Sequence, residues 1–224
     1  MTDWLLRVLQ DMGTTLRLPI SFVCIEFVGT MAFAISGVRL ASAKRFDIFG
    51  AWIVGMATAI GGGTIRDLML GVNPFWMTNS SYFICCGLAV LWVFLFGKHL
   101  VRQRNTLFLF DTIGLALFNV IGIEKTLNLG FPYWTAITMG SITGAAGGVL
   151  RDVFINEIPL IFRKEIYALA CVSGGLVYIL CHKLELTPEI NALLSIFVVV
   201  LIRLLAVKYH WCLPILKGED ESIL

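Results

Sequence analysis

The chain has 224 residues, of which 58% are hydrophobic and only 14% charged, and its formal net charge is +2. A mean hydropathy of +0.86 and a charge content far below the roughly 25% of soluble domains exclude an ordinary water-soluble fold, so the solvent for most of this surface is lipid. The small net charge, with no basic tract and no RNA-binding motif, excludes a nucleic-acid partner.

Residues 1–19, "MTDWLLRVLQDMGTTLRLP", mix acids and arginines among apolar residues and end without a small-residue cleavage site. That pattern predicts an interfacial N-terminal segment rather than a secretory signal. Seven apolar spans follow at 20–41, 48–70, 79–97, 106–124, 133–155, 166–182 and 190–208. Each is close to the roughly 20 residues a bilayer core demands. No long polar linker interrupts them, which predicts one all-α integral membrane domain over 20–208 and a cytoplasmic tail over 209–224. With the N-terminus outside, 12 of the 17 Lys and Arg residues fall on the inner side, the asymmetry of a multi-pass protein whose C-terminus is cytoplasmic. Nothing resembles an organelle address, and the expected location is the inner (cell) membrane of a prokaryote. Cys24, Cys85, Cys86, Cys171, Cys181 and Cys212 lack metal-ligand spacing and read as small core residues. Trp76, Tyr82, Tyr133 and Trp134 sit at span ends and read as interfacial anchors, and His99, His182 and His210 as interfacial too.

The second span ends in "GGGTIRDLMLGVNP", three glycines and an Arg-Asp pair inside an apolar stretch. Shifted by 85 residues the chain matches itself. Gly62-Gly63 falls on Gly147-Gly148, Arg66-Asp67 on Arg151-Asp152, and Pro74 on Pro159. Upstream, Glu26 meets Asp111, Gly29 meets Gly114, Phe33 meets Phe118, Gly37 meets Gly122 and Gly55 meets Gly140; Tyr82 meets Tyr167 downstream. Each copy, about 22–97 and about 107–182, spans three helices. Because three is odd, the second copy enters the membrane from the other side. Spans one to three and four to six are therefore inverted repeats, the seventh at 190–208 standing alone, an architecture used to move solutes across membranes.

The apolar run before the motif, residues 48–60, is too short to cross alone, which puts the glycines near mid-membrane. Gly61, Gly62 and Gly63, and Gly147 and Gly148 after Ala146, predict kinked second and fifth helices whose freed carbonyls face a cavity. Such carbonyls suit a weakly hydrated cation. The other glycines of the repeat read as helix-packing positions. Charges within spans are functional candidates: Arg66, Arg151, Asp67, Asp152, Glu26 and Asp111. Neighbours at i and i+1 do not share a helix face, so Glu26–Arg66 and Asp111–Arg151 are the expected pairs. They either flank the two mouths of one pathway or brace their helices. No catalytic constellation and no phosphate-binding loop is present, so an enzyme is not expected. No cofactor is expected either, beyond a permeant K+ or Na+.

The stretches "GGGTIRDLMLGVNP" and "GAAGGVLRDVFINEIPLIFRKEIYA" resemble the duplicated domain of the TRIC superfamily, the trimeric intracellular cation channels, whose bacterial branch is also described as a glycine-transporter domain. The resemblance covers about residues 22–208. It implies a homotrimer with a pore in each subunit, second and fifth helices kinked at the glycine motifs and lining the pore, and conduction of monovalent cations, chiefly potassium. Animal members carry a lysine-based motif in the second helix where this chain has "GGGTIRD", so their lipid or calcium regulation is not carried over. Membrane lipids are the other expected partner. A carrier for a small zwitterion such as glycine is the competing reading, and a structural scaffold a third.

Overall fold

The computed structural model describes residues 19–102, 106–163 and 166–211. The expected interfacial segment at 1–19 lies outside them apart from Pro19, as do Cys212 and most of the 209–224 tail; of His99 only the backbone is described. Among the described residues seven α-helices follow one another: α1 (Ile20–Ala43), α2 (Ile48–Met69), α3 (Ser81–Arg102), α4 (Thr106–Asn128), α5 (Tyr133–Phe154), α6 (Ala168–Lys183) and α7 (Pro188–Lys208). By length and composition α1, α2, α4 and α7 can cross a membrane, while α6 and the most apolar part of α3, Ser81–Phe96, are shorter. Helix α5 is long enough but spends its apolarity on glycine, serine and threonine, because its face is given over to close packing.

Local chemistry sets the helix ends. Asp47 caps α2 by accepting from the Gly50 amide at 2.6 Å, and Pro188 occupies the first turn of α7, where its missing N–H costs nothing. Helices α2 and α5 end in the same left-handed turn, at Gly71 (φ 71°) and Asn156 (φ 56°), with Val72 N bonded to Asp67 O and Glu157 N to Asp152 O. Glycine and asparagine are the residues that tolerate that conformation. These two positions are 85 residues apart, as are Arg45 and Gly130, the positive-φ residues after α1 and α4. The repeat is thus written into the backbone as well as the sequence.

The repeats interlock rather than sit side by side. Within each copy α1 packs on α2 and α4 on α5; between copies α1 packs on α4 and α2 on α5. Helix α4 is the most enclosed, buried over nearly its whole length from Asp111 to Thr126. Helix α7, outside the repeat, leans on α6 and α4. The intrarepeat crossings are near copies of each other. A Cβ on Gly37 would stand 2.5 Å from Thr58 Oγ1 and 2.9 Å from Gly55 Cα, and one on Gly122 would stand 2.6 Å from Thr143 Oγ1 and 2.7 Å from Gly140 Cα. At the centre Phe33 of α1 stacks on Phe118 of α4, its equivalent in the other copy, with ring centroids 5.3 Å apart.

Candidate functional site

Helices α2 and α5 remain α-helical through their glycines. What the glycines supply is close approach rather than an opened turn. A Cβ on Gly62 would lie 2.1 Å from the carbonyl oxygen of Thr143, and one on Gly147 would lie 2.3 Å from that of Thr58. The two helices therefore touch backbone to backbone at equivalent points. The hydroxyls of Thr58 and Thr143 turn back to the carbonyls of Val54 and Met139, at 2.6 and 2.5 Å. Gly61 makes room for Leu150, Gly63 for Phe75, and Gly148 for the Tyr167 hydroxyl.

Two buried charged clusters lie at opposite ends of the bundle, astride this crossing. The first gathers Glu26 from the start of α1, Arg66 and Asp67 from the end of α2, Tyr82 from the start of α3 and Lys125 from the end of α4. The second gathers Asp111 from the start of α4, Arg151 and Asp152 from the end of α5, Tyr167, Ser36 from α1 and Arg203 from α7. Each holds two acids and two bases, so neither leaves a net charge in the low-dielectric interior, where an unpaired charge is costly.

In both clusters the arginine does pair with the aspartate that follows it. Arg66 Nε lies 2.7 Å from Asp67 Oδ1, and Arg151 Nε lies 2.9 Å from Asp152 Oδ1. The i,i+1 argument fails here because the long guanidinium arm folds back along its own helix end. The aspartate's second oxygen accepts the first amide of the returning 3-10 turn, Phe75 N at 2.9 Å and Leu160 N at 3.0 Å. Asp67 and Asp152 thus tie helix end, arginine and re-entrant turn together.

Beyond that shared core the clusters differ. Asp111 is fully engaged on one oxygen, with Arg151 Nη1 at 2.6 Å and the Tyr167 hydroxyl at 3.4 Å. Its other oxygen faces Arg203 Nη2 at 3.7 Å. Arg151 Nη1 also donates to Ser36 Oγ at 2.7 Å, joining the two repeats. Arg203 donates to the Ile166 carbonyl and lies over the rings of Phe108 and Tyr167. The expected Asp111–Arg151 pair is therefore present. The expected Glu26–Arg66 pair is not: both Glu26 oxygens, both Arg66 terminal nitrogens and the Tyr82 hydroxyl are buried without a hydrogen-bond partner. Lys125 has taken the place beside Asp67, at 2.8 Å.

Three groups were not legible as site residues. Lys125 and Arg203 read as loop or terminal cations, and both are buried ion-pair partners. Tyr82 reads as an interfacial anchor but is 1% exposed beside Glu26; its repeat partner Tyr167, equally buried, was the available signal. Trp134, at 70% exposure, does face outward. Cys24 is exposed, whereas Cys85, Cys86, Cys171 and Cys181 are buried free thiols.

Comparison with known proteins gives the same two-part division. The family model described as "Glycine transporter" matches twice, over residues 23–98 and 108–183, again 85 residues apart. The UPF0126 inner membrane protein YadS of Escherichia coli K12 is 40% identical over 201 residues, covering 88% of this chain and 97% of its own. Among solved structures, the orthologue of the trimeric intracellular cation channel from Rhodobacter sphaeroides superposes with a TM-score of 0.82 at 32% identity, over 86% of this chain and all of that one. A second TRIC cation channel gives 0.79 at 34% identity, over 89% of this chain and 98% of that one. These neighbours are channels and not enzymes. Duplicated three-helix units, the glycine crossing and these likenesses together make the chain a seven-helix membrane protein of the glycine-transporter (UPF0126) family, within the TRIC superfamily.

Proposed function

We propose that this protein is a passive channel for monovalent cations, chiefly potassium, working as a homotrimer with one pathway inside each subunit. The observation that carries the reading is the placement of two charge-balanced clusters at opposite ends of one bundle, with the α2–α5 glycine crossing and the Phe33–Phe118 stack between them. Its closest support outside the chain is the likeness to proteins named as cation channels, one of them named trimeric. In this reading Glu26 and Asp111 draw cations to the two mouths, Arg66 and Arg151 gate them, and the stacked rings close the middle. The backbone approach at Gly62 and Gly147 lets a small relative movement of α2 and α5 open or shut the path.

The orientation proposed is N-terminus outside and C-terminus cytoplasmic, in the inner membrane, among lipids. Setting aside the five cations buried in the bundle, Arg39, Arg66, Lys125, Arg151 and Arg203, leaves nine Lys and Arg residues inside and three outside, which keeps the positive-inside bias. Purified protein in a planar bilayer with potassium chloride alone should give unitary currents. Silent bilayers from folded protein, with saturable glycine uptake into liposomes, would replace the channel by a carrier.

A further inference from the structure

The two repeats differ on the outer surface of the bundle. Between α5, α6 and the 3-10 turn Leu160–Phe162 lies a cleft of about 390 Å³, open along one side. Its walls include Ile137, Ser141, Ala145 and Val149 of α5, Ile161 of the turn and Ala168 of α6. The 85-residue shift places these on Trp52, Met56, Ile60, Thr64, Trp76 and Phe83 of the first copy. There the Trp76 indole donates to Thr64 Oγ1 at 2.9 Å and meets the Phe83 ring edge-on, with centroids 5.6 Å apart. Trp52 and Met56 pack beside them on the core. Aromatic bulk thus fills in the first copy what smaller side chains leave open in the second.

Three properties specify an occupant. The cleft is apolar: its hydroxyls, Thr138 and Ser141, donate to the carbonyls of Trp134 and Ile137 one turn back in their own helix, each at 2.9 Å. From Ile137 to Val149 it runs about 18 Å along α5 at 1.5 Å per residue, close to one leaflet's share of a hydrocarbon core about 30 Å thick. Beside the 3-10 turn it ends at a basic surface. Glu157 is held between Lys44 and Arg163, all three exposed, which leaves one positive charge in excess. Arg163 stands two residues beyond Ile161, its Nε donating to the Ile158 carbonyl at 2.8 Å. An empty cleft at this depth would cost its walls their dispersion contacts. Hydrocarbon supplies them, and the positive end favours a negative headgroup.

We propose that this cleft binds one acyl chain of an anionic phospholipid, whose headgroup phosphate sits on Arg163 and Lys44. With the C-terminus cytoplasmic, that lipid belongs to the inner leaflet. The site is particular to the second repeat, because Trp76 and Phe83 occupy its counterpart in the first. It does not rest on the conduction reading: the lipid binds whether or not ions cross the bundle.

The test is native mass spectrometry of full-length protein, stripped of lipid in mild detergent and titrated with phosphatidylglycerol or phosphatidylcholine. Wild type should take up one lipid per chain before any other. Phosphatidylglycerol should be preferred about fivefold, the weight of one basic side chain near a membrane surface. Ala168→Phe installs in the second copy the ring that Phe83 supplies in the first. It should weaken both lipids at least about tenfold, as about two fewer buried methylenes would. Ser141→Met fills the cleft from α5, at a half-buried position where the change also favours the helix. It should act in the same direction, and it decides the matter if Ala168→Phe does not fold. Arg163→Gln should keep the chain bound and lose the headgroup preference. Leu176→Phe, on the exposed side of α6, should change nothing. Wild-type affinity in folded Ala168→Phe or Ser141→Met would mean that lipid coats the surface without a site, and overturns the proposal. Wild type without a specific lipid overturns it too; if either variant then also dissociates an oligomer, the cleft belongs to a second subunit. Phosphatidylcholine bound as tightly as phosphatidylglycerol overturns the headgroup assignment.

Discussion

Gly62→Ala separates two accounts of the glycine motif by the sign of its effect. If the glycines existed to loosen α2, alanine would stabilise the helix by about 1 kcal/mol through its better helix propensity. The crossing predicts the reverse. The added methyl would stand 2.1 Å from the Thr143 carbonyl oxygen, with the Thr143 carbonyl carbon at 3.1 Å and Gly147 N at 3.2 Å. All three are backbone atoms of α5 and cannot swing away, so relief requires the helices to separate by about 1 Å and lose contact along the crossing. Overpacking of this kind costs about 1–3 kcal/mol, at or beyond the upper end where the obstacle is backbone, leaving a net loss of about 1–2 kcal/mol after the propensity gain. The assay is thermal unfolding in a mild detergent, followed by near-ultraviolet dichroism, with Gly87→Ala as control. Gly87 is helical and has nothing within 4 Å of its added Cβ, so that variant should gain up to about 1 kcal/mol. Gly147→Ala meets Thr58 O at 2.3 Å and should lose as Gly62→Ala does, the double variant less than the sum because both substitutions open one crossing. A Gly62→Ala protein as stable as wild type refutes the close-approach account.

Asp67→Asn should destabilise by about 3–5 kcal/mol, the range for breaking a buried pair, because it strips a partner from both Arg66 and Lys125; Asp152→Asn should lose less, since Arg151 keeps Asp111. Equal unfolding midpoints for the two variants would remove that ranking. Outside the membrane spans, the Lys44 ammonium donates to Glu157 and holds its carboxyl below the ordinary 4.5. A depressed folded-state value stabilises fully above the unfolded one and is lost as pH falls through the folded one, so Glu157→Gln should flatten the acid limb of a stability profile below about pH 4.5, and an unaltered limb would dismiss the bridge. Phe33→Leu removes the central ring stack, worth about 0.5–1.5 kcal/mol beyond its area, and should raise unitary conductance in bilayers; unchanged currents from folded protein would take Phe33 out of the pathway.

The architecture was legible because hydropathy and self-similarity are properties of the chain alone. Seven helices fall where seven apolar spans were read, and the 85-residue register located both glycine motifs and the acid one helix upstream of each. One local rule misled. The i,i+1 rule treats side chains as short pegs on a cylinder and took no account of an arginine curling back at a helix terminus, where Arg66 and Arg151 sit. The helix-breaking character of glycine pointed to kinked second and fifth helices and left a second use of the same residues unread. In a bundle, the missing side chain matters more for how near Thr143 can come to Gly62 than for the helix's own hydrogen bonds.

What the sequence hid is the source of the second base in each cluster, and the reason is a matter of charge balance. Each repeat supplies two acids and one arginine to its cluster, Glu26 and Asp67 with Arg66, Asp111 and Asp152 with Arg151. Duplication alone would therefore bury a negative charge at each end, an arrangement the low dielectric opposes. The neutralising cation has to come from a position that the inverted symmetry does not repeat. At one end it is Lys125 from the last turn of α4; at the other it is Arg203 from α7, the helix left over from the duplication. Because Lys125 aligns with Leu40 and Arg203 has no partner in the repeat, neither stands out on self-alignment. The choice has a structural consequence. At one end Arg203 lies 3.7 Å from Asp111, while at the other Lys125 settles on Asp67 and no ion pair joins Glu26 to Arg66. A seventh helix beside the Asp111 end thus makes chemically unequal two clusters that duplication alone would have left alike.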